Sequence, residues 1–104
     1  MHARLVSFSS GGSTDSRDRW VQAIQDTVIP TMRKQEGFAG YVGLSGQENQ
    51  QFKGLVFWDS EENAEAGEQA MKERRREVSG EIGLTEESAE LFEVIAMEMD
   101  ATRV

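Results

Sequence analysis

The chain has 104 residues, enough for one hydrophobic core and too few for two, so a single domain spanning residues 1–104 is expected. Nineteen acidic against eleven basic residues leave a formal net charge of −8, a surface that repels phosphate backbones and argues against nucleic-acid binding. Cysteine is absent, which removes disulfides and thiolate metal ligands and suits a reducing cytoplasm. No apolar run reaches membrane-spanning or signal-peptide character, so a soluble cytoplasmic protein with no membrane partner is expected.

The first apolar run, Ala3 to Phe8, reads as a strand with apolar residues on both faces. A connecting loop, Ser9 to Ser16, ends in residues that accept hydrogen bonds from the first turn of a helix. Trp20, Ala23, Ile24, Val28 and Met32 then fall at helical spacing and form the inward stripe. Pro30 lacks a donor for the preceding turn, which predicts a bend or loosening there, and Gly37 suits a left-handed closing position.

Gly37 to Leu44 reads as a glycine-rich strand, Ser45 to Gln50 as a polar turn and Gln51 to Trp58 as the return strand of a hairpin. On that return strand Phe52, Gly54, Val56 and Trp58 share one face, while Lys53, Leu55 and Phe57 share the other. Asp59 and Glu62 have the spacing of a capping box, so a second helix is predicted directly after Trp58, with Ala64, Gly67, Met71 and Val78 inward. Residues 79–88 read as a loop, and Leu91 to Met99 as the last strand, again apolar on both faces.

The order β-α-β-β-α-β predicts an α+β, ferredoxin-like domain, a four-stranded antiparallel sheet with both helices on one face. Two helices cover one side only. Leu5 or Val6, Leu55, Phe57 and one side of the last strand would otherwise form a large bare patch, so a second copy is expected over the other side, as a two-fold homodimer.

With that order in place, two stretches carry a resemblance: Ile29 to Tyr41, which runs proline, basic residues, glycine and phenylalanine from helix into strand, and Val56 to Ala66, which runs strand, tryptophan, acids and helix. Over nearly its whole length the chain resembles the antibiotic biosynthesis monooxygenase family of dimeric α/β barrels. That family includes cofactor-free oxygenases acting on aromatic polyketides, and haem-degrading enzymes. The resemblance implies no cofactor, a small aromatic ligand, and Trp58 at the position of an active-site tryptophan. It implies an asparagine four residues earlier, where this chain has Gly54, and an arginine from the second helix, which Arg74 or Arg75 could supply. The haem-degrading members need a histidine on the second helix. Here the chain's one histidine is His2, expected to be solvated, so that route is not expected.

Other chemistry finds no support. A Ser-His-acid triad would have to use His2, His/Cys metal sites are excluded by count, and no G-x-G-x-x-G opens a helix. The run Lys72 to Glu77 reads as a solvated helix face from which one of Arg74, Arg75 or Arg76 could turn inward. The pocket candidates are therefore Trp58, Tyr41, Ser7, Arg74 and Arg75. Two functions follow: a cofactor-independent monooxygenase on a polyketide- or quinol-like aromatic, or a non-catalytic dimeric protein, ligand-binding or stress-related, that keeps the fold and the hollow.

Overall fold

The computed structural model describes residues 1–11, 15–46 and 51–100; the middle of the predicted Ser9–Ser16 loop, most of the predicted Ser45–Gln50 turn and the last four residues lie outside these. The elements run β1 (His2–Ser10), α1 (Ser16–Ala23), a π-helical turn (Ile24–Val28), α2 (Ile29–Met32), β2 (Phe38–Gly46), β3 (Gln51–Trp58), α3 (Glu61–Glu81) and β4 (Leu84–Glu93). The four strands form one antiparallel sheet in the order β2-β3-β1-β4, the ferredoxin-like arrangement the element order predicts.

Period-2 alternation sorts the strands cleanly. Arg4, Val6 and Phe8 on β1 share a face with Phe52, Gly54, Val56 and Trp58 on β3, and this face lies under the helices. Two buried clusters sit there. Val6, Phe8, Trp20, Ile24, Phe52 and Leu84 form one; Met32, Val56, Trp58, Ala64 and Met71 form the other; Tyr41 packs against both. Gly43 permits the first to close, since a Cβ there would lie 3.2 Å from Ile24 and 3.7 Å from the Trp20 ring.

The expected loosening at Pro30 takes the form of the π-helical turn directly before it. Pro30 has no N–H to offer, and Thr31 Oγ1 instead donates to Thr27 O at 2.7 Å. Gly37 has the predicted left-handed conformation, φ 83°. A side chain there would also meet Asp59 Oδ1 and Asn63 Nδ2, both 2.5 Å from its Cβ position.

Three expectations are corrected. The cap of α3 is Ser60 rather than Asp59: its extended backbone brings Oγ to Asn63 N at 3.1 Å, and the helix starts one turn position later. His2 is not a solvated end. It is half-buried in β1, and its Nδ1 is buried without a hydrogen-bond partner. The last strand is Leu84–Glu93 rather than Leu91–Met99. Gly83, at φ 77°, turns the chain out of α3 so that Leu84 already pairs with Ser10. This strand forms a sheet edge and carries Glu86, Glu87, Glu90 and Glu93, a polarity typical of an edge and easily read as a loop.

Residues 94–100, apolar but for Glu98 and Asp100, follow the strand. Val94 N donates to Met1 O at 2.9 Å, and Met97 and Met99 come beside Gly40, Val42 and Phe57 on the sheet face away from the helices. Leu44, Phe92, Ile95 and Met99 stay exposed, Ile95 at 89%. Among the described residues no helix is long and apolar enough to cross a membrane.

Candidate functional site

A cleft opens between the sheet and the helices, where the two buried clusters meet. The cavity volume open to water-sized atoms is about 40 Å³, and about 570 Å³ is free of protein atoms when the open solvent at the mouth is counted. Its floor is Val6, Tyr41, Gly54 and Val56; Phe8 and Trp20 form one wall, and Met71, Arg75 and Val78 of α3 form the other. Thr27, Val28 and Thr31 line it because the π-helical turn widens the backbone over the sheet. The lining is mostly apolar with a few polar groups, the usual make-up of a small-molecule pocket.

Tyr41 supplies the most prominent of those groups. It stands opposite Val56 across the β2–β3 ladder and leans to the diagonal neighbour Gly54, filling the space a side chain would take. A Cβ on Gly54 would overlap Tyr41 Oη and lie 3.1 Å from Cζ. The position where the family resemblance expects an asparagine thus holds a phenol from the next strand. Burial pushes the Tyr41 pKa far above its ordinary value, the positive charge of Arg75 opposing this only in part, so the hydroxyl stays protonated. It has no hydrogen-bond partner among the described residues.

Arg75 turns inward and Arg74 does not. Arg75 Nε donates to Glu86 Oε1 at 2.7 Å and Nη2 to Glu68 Oε2 at 3.3 Å, with Nη1 on Glu68 Oε1 as well. Burial alone would lower its pKa, but the hydrogen bonds and charges of Glu68 and Glu86 raise it. Glu68 also lies 4.0 Å from Arg4 Nε, and Arg4 Nη2 donates to Glu65 at 3.2 Å. Arg74 sits at the cleft rim, half exposed, 3.2 Å from Glu77.

The remaining candidates lie elsewhere. Ser7 faces the other side of the sheet, where its Oγ accepts from Lys53 Nζ at 2.9 Å; the alternation that turns Val6 and Phe8 inward turns Ser7 out. Trp58 faces the helices but does not line the cleft. It is 2% exposed, with Phe38 edge-on at 6.1 Å and Gly67 and Ala64 letting α3 settle onto its ring. Gly67 and Ala64 bring the helix down onto the indole and leave no hollow beside it. The aromatic wall is Trp20, which the sequence reading assigned to packing alone. The signal lay in Gly43, a glycine mid-strand that requires close approach by a large neighbour. Among the described residues no group of three or more His, Cys, Asp or Glu could hold a metal ion.

A four-stranded sheet with helices on one face is the fold shared with solved structures named as antibiotic biosynthesis monooxygenases. A candidate enzyme of that name from Deinococcus radiodurans superposes with a TM-score of 0.71 at 11% identity, covering 99% of this chain and 100% of its own. SnoaB, a cofactor-independent oxygenase from Streptomyces nogalater, gives 0.65 at 11% identity over 92% and 94%. HapK from Hahella chejuensis gives 0.72 at 6% identity over 98% and 100%. At such identities the likeness is one of fold, and the fold that the sequence resemblance implied is borne out. No protein-family model matches the sequence, and no similar sequence is found among curated proteins.

Proposed function

We propose that the cleft is the active site of a cofactor-independent oxygenase acting on a small aromatic substrate. The observation that carries this reading is the unpartnered, protonated Tyr41 hydroxyl facing an apolar space beside an aromatic wall. Likeness in fold to SnoaB supports it. The substrate is read as anthrone- or quinol-like, so that its own electrons reduce oxygen. For an anthrone, the ring CH2 loses a proton to water at the cleft mouth, and the charge moves onto the ring oxygen. The carbanion then reacts with O2: one oxygen atom becomes the new C=O, the other leaves as water with the second hydrogen and the transferred proton. The substrate supplies all four electrons. Tyr41 donates to the ring oxygen as its charge grows, Trp20 stacks on the ring, and the helices exclude water.

Oxygen uptake with hydroxylated anthrones and quinols, without added flavin or metal, is expected. Tyr41→Phe should lower the rate roughly 100-fold, the scale for loss of one oxyanion donor. Uptake unaffected by that change would remove Tyr41 from the reaction. A second reading, ligand binding without turnover, is favoured by one observation: among the described residues no carboxylate or imidazole lines the cleft to serve as general base. Binding with no oxygen consumed would establish it.

We also propose that the apolar sheet face bearing Leu55, Phe57 and Phe92 packs against a second copy, with the tail 94–100 inside the contact. The lack of cysteines fits a reducing cytoplasm, where we place the dimer. Sedimentation at micromolar concentration should give twice the chain mass, and Phe92→Glu should shift it toward the monomer. A wild-type monomer mass would refute the assembly.

A further inference from the structure

We infer that the cleft selects a neutral, flat ligand bearing a carbonyl-type oxygen, held by a hydrogen bond from Tyr41 Oη, and that it rejects ligands of the same size bearing a carboxylate. The inference rests on the reading of the cleft as a ligand site and goes further by stating the charge and the polar group of what enters.

The argument is an account of which polar groups are free. Thr31 Oγ1 is used by Thr27 O at 2.7 Å, and Ser79 Oγ by Arg76 O at 3.1 Å. Arg75, the cation of α3 that turns inward, is already held between Glu68 and Glu86, and Arg74 at the rim is paired with Glu77. One positive charge between two negative ones leaves that wall with no net attraction for an anion. Arg4, the next cation along, is shared between Glu65 and Glu68. The chain's −8 charge adds a background of the same sign. A carboxylate entering the cleft would therefore lose its water and find no unpaired cation, which is strongly unfavourable. Tyr41 Oη stands differently. It is fixed over Gly54 by its own ring and has no partner to give up. A ligand carbonyl there takes the place of water on that donor, whereas a ligand lacking an acceptor would cover the hydroxyl and leave it unsatisfied. The neutral phenol makes the site a donor, matched to an acceptor and not to a cation.

Three isosteric probes decide the matter: 1-acetylnaphthalene, 1-isopropenylnaphthalene and 1-naphthoate, titrated into the whole chain and followed by quenching of tryptophan emission in a Trp58→Phe background, which leaves Trp20 as the reporter. The ketone is expected to bind about threefold to tenfold tighter than the hydrocarbon, the span of one net hydrogen bond, and 1-naphthoate at least tenfold weaker than the ketone. In Tyr41→Phe, checked for a native circular dichroism spectrum, the ketone should fall to the affinity of the hydrocarbon while the hydrocarbon is unchanged. Glu86→Gln, which leaves Arg75 one carboxylate instead of two, should raise 1-naphthoate binding severalfold and leave the ketone as it was. Naphthoate binding as tightly as the ketone would overturn the inference, and so would a ketone preference that survives Tyr41→Phe. If none of the probes binds, the ligand site itself falls and the inference with it. If the ketone binds as stated but anthrones consume no oxygen, the oxygenase reading fails and this inference stands.

Discussion

Gly67→Ala is expected to destabilise the protein by about 1–3 kcal/mol, despite the roughly 1 kcal/mol that alanine gains over glycine within a helix. The added methyl would overlap the Trp58 indole, with Cζ2 at 2.5 Å and Cζ3 at 2.9 Å from the Cβ position. Neither side can yield. The ring is held by Phe38 and buried to 2% exposure, and α3 is anchored at its start by Ser60. For a chain of this size the melting temperature should drop by roughly 4–8 °C for each kcal/mol lost. Gly80, in the same helix with nothing within 4 Å of its Cβ position, is the control. Gly80→Ala should raise stability by about 0.5–1 kcal/mol through propensity alone. In a Trp58→Phe background the cost of Gly67→Ala should shrink, a coupling that a double-mutant cycle measures. Equal melting shifts for Gly67→Ala and Gly80→Ala would show that the indole is not wedged.

Arg75→Met should cost about 2–4 kcal/mol at neutral pH, because it leaves Glu68 and Glu86 facing each other with their shared cation gone. The pH dependence gives the sharper readout. Burial raises the Glu68 pKa, but the hydrogen bonds and charge of Arg75, helped by Arg4 and Lys72, bring the net value below 4.5. A carboxyl with a depressed folded-state pKa stabilises the fold above its unfolded value, and that stability is lost as pH falls through the folded value. The wild type should therefore weaken as pH drops below about 4.5. In Arg75→Met the burial remains and its main counterweight is gone, so the Glu68 pKa moves up. Protonation then relieves the fold, and the variant should recover part of its lost stability as pH falls from 7 toward 5. Urea midpoints at pH 7, 5 and 4 test this, and parallel acid limbs for the two proteins would refute it.

Much of the sheet was legible because its signals are local. Alternation placed Phe52, Gly54, Val56 and Trp58 on one face, and Gly37 announced a left-handed turn. The last strand was not, because its position is set by pairing with β1, a long-range choice that overrides the apolar run from Leu91 to Met99. The site was legible in kind and misplaced in detail. Periodicity states that Trp20 and Trp58 both face inward; it does not state which of them a helix settles upon. Gly67 decided that, by removing the side chain that would have held α3 off Trp58. The choice between Arg74 and Arg75 was not available from periodicity. Met71 and Val78 mark the buried stripe of α3, but residues 74 and 75 each lie three or four positions from both and flank that stripe at about 50° on either side, so it is Glu68 and the distant Glu86 that draw Arg75 in. Tyr41 over Gly54 is a diagonal cross-strand contact, visible only once the hairpin register is known.

The glutamates of β4 bear on how copies of this protein can meet. A sheet with two free margins could in principle lengthen without limit, each chain lending its unpaired amides and carbonyls to the next. Any such ribbon longer than two copies must use the β4 margin, because β2 offers only one other. With Glu87, Glu90 and Glu93 along it, a second acidic chain approaching side-on meets like charge at nearly every step. Contact would be left to the broad oily surface instead, where the two-fold partner proposed above would end the assembly rather than extend it.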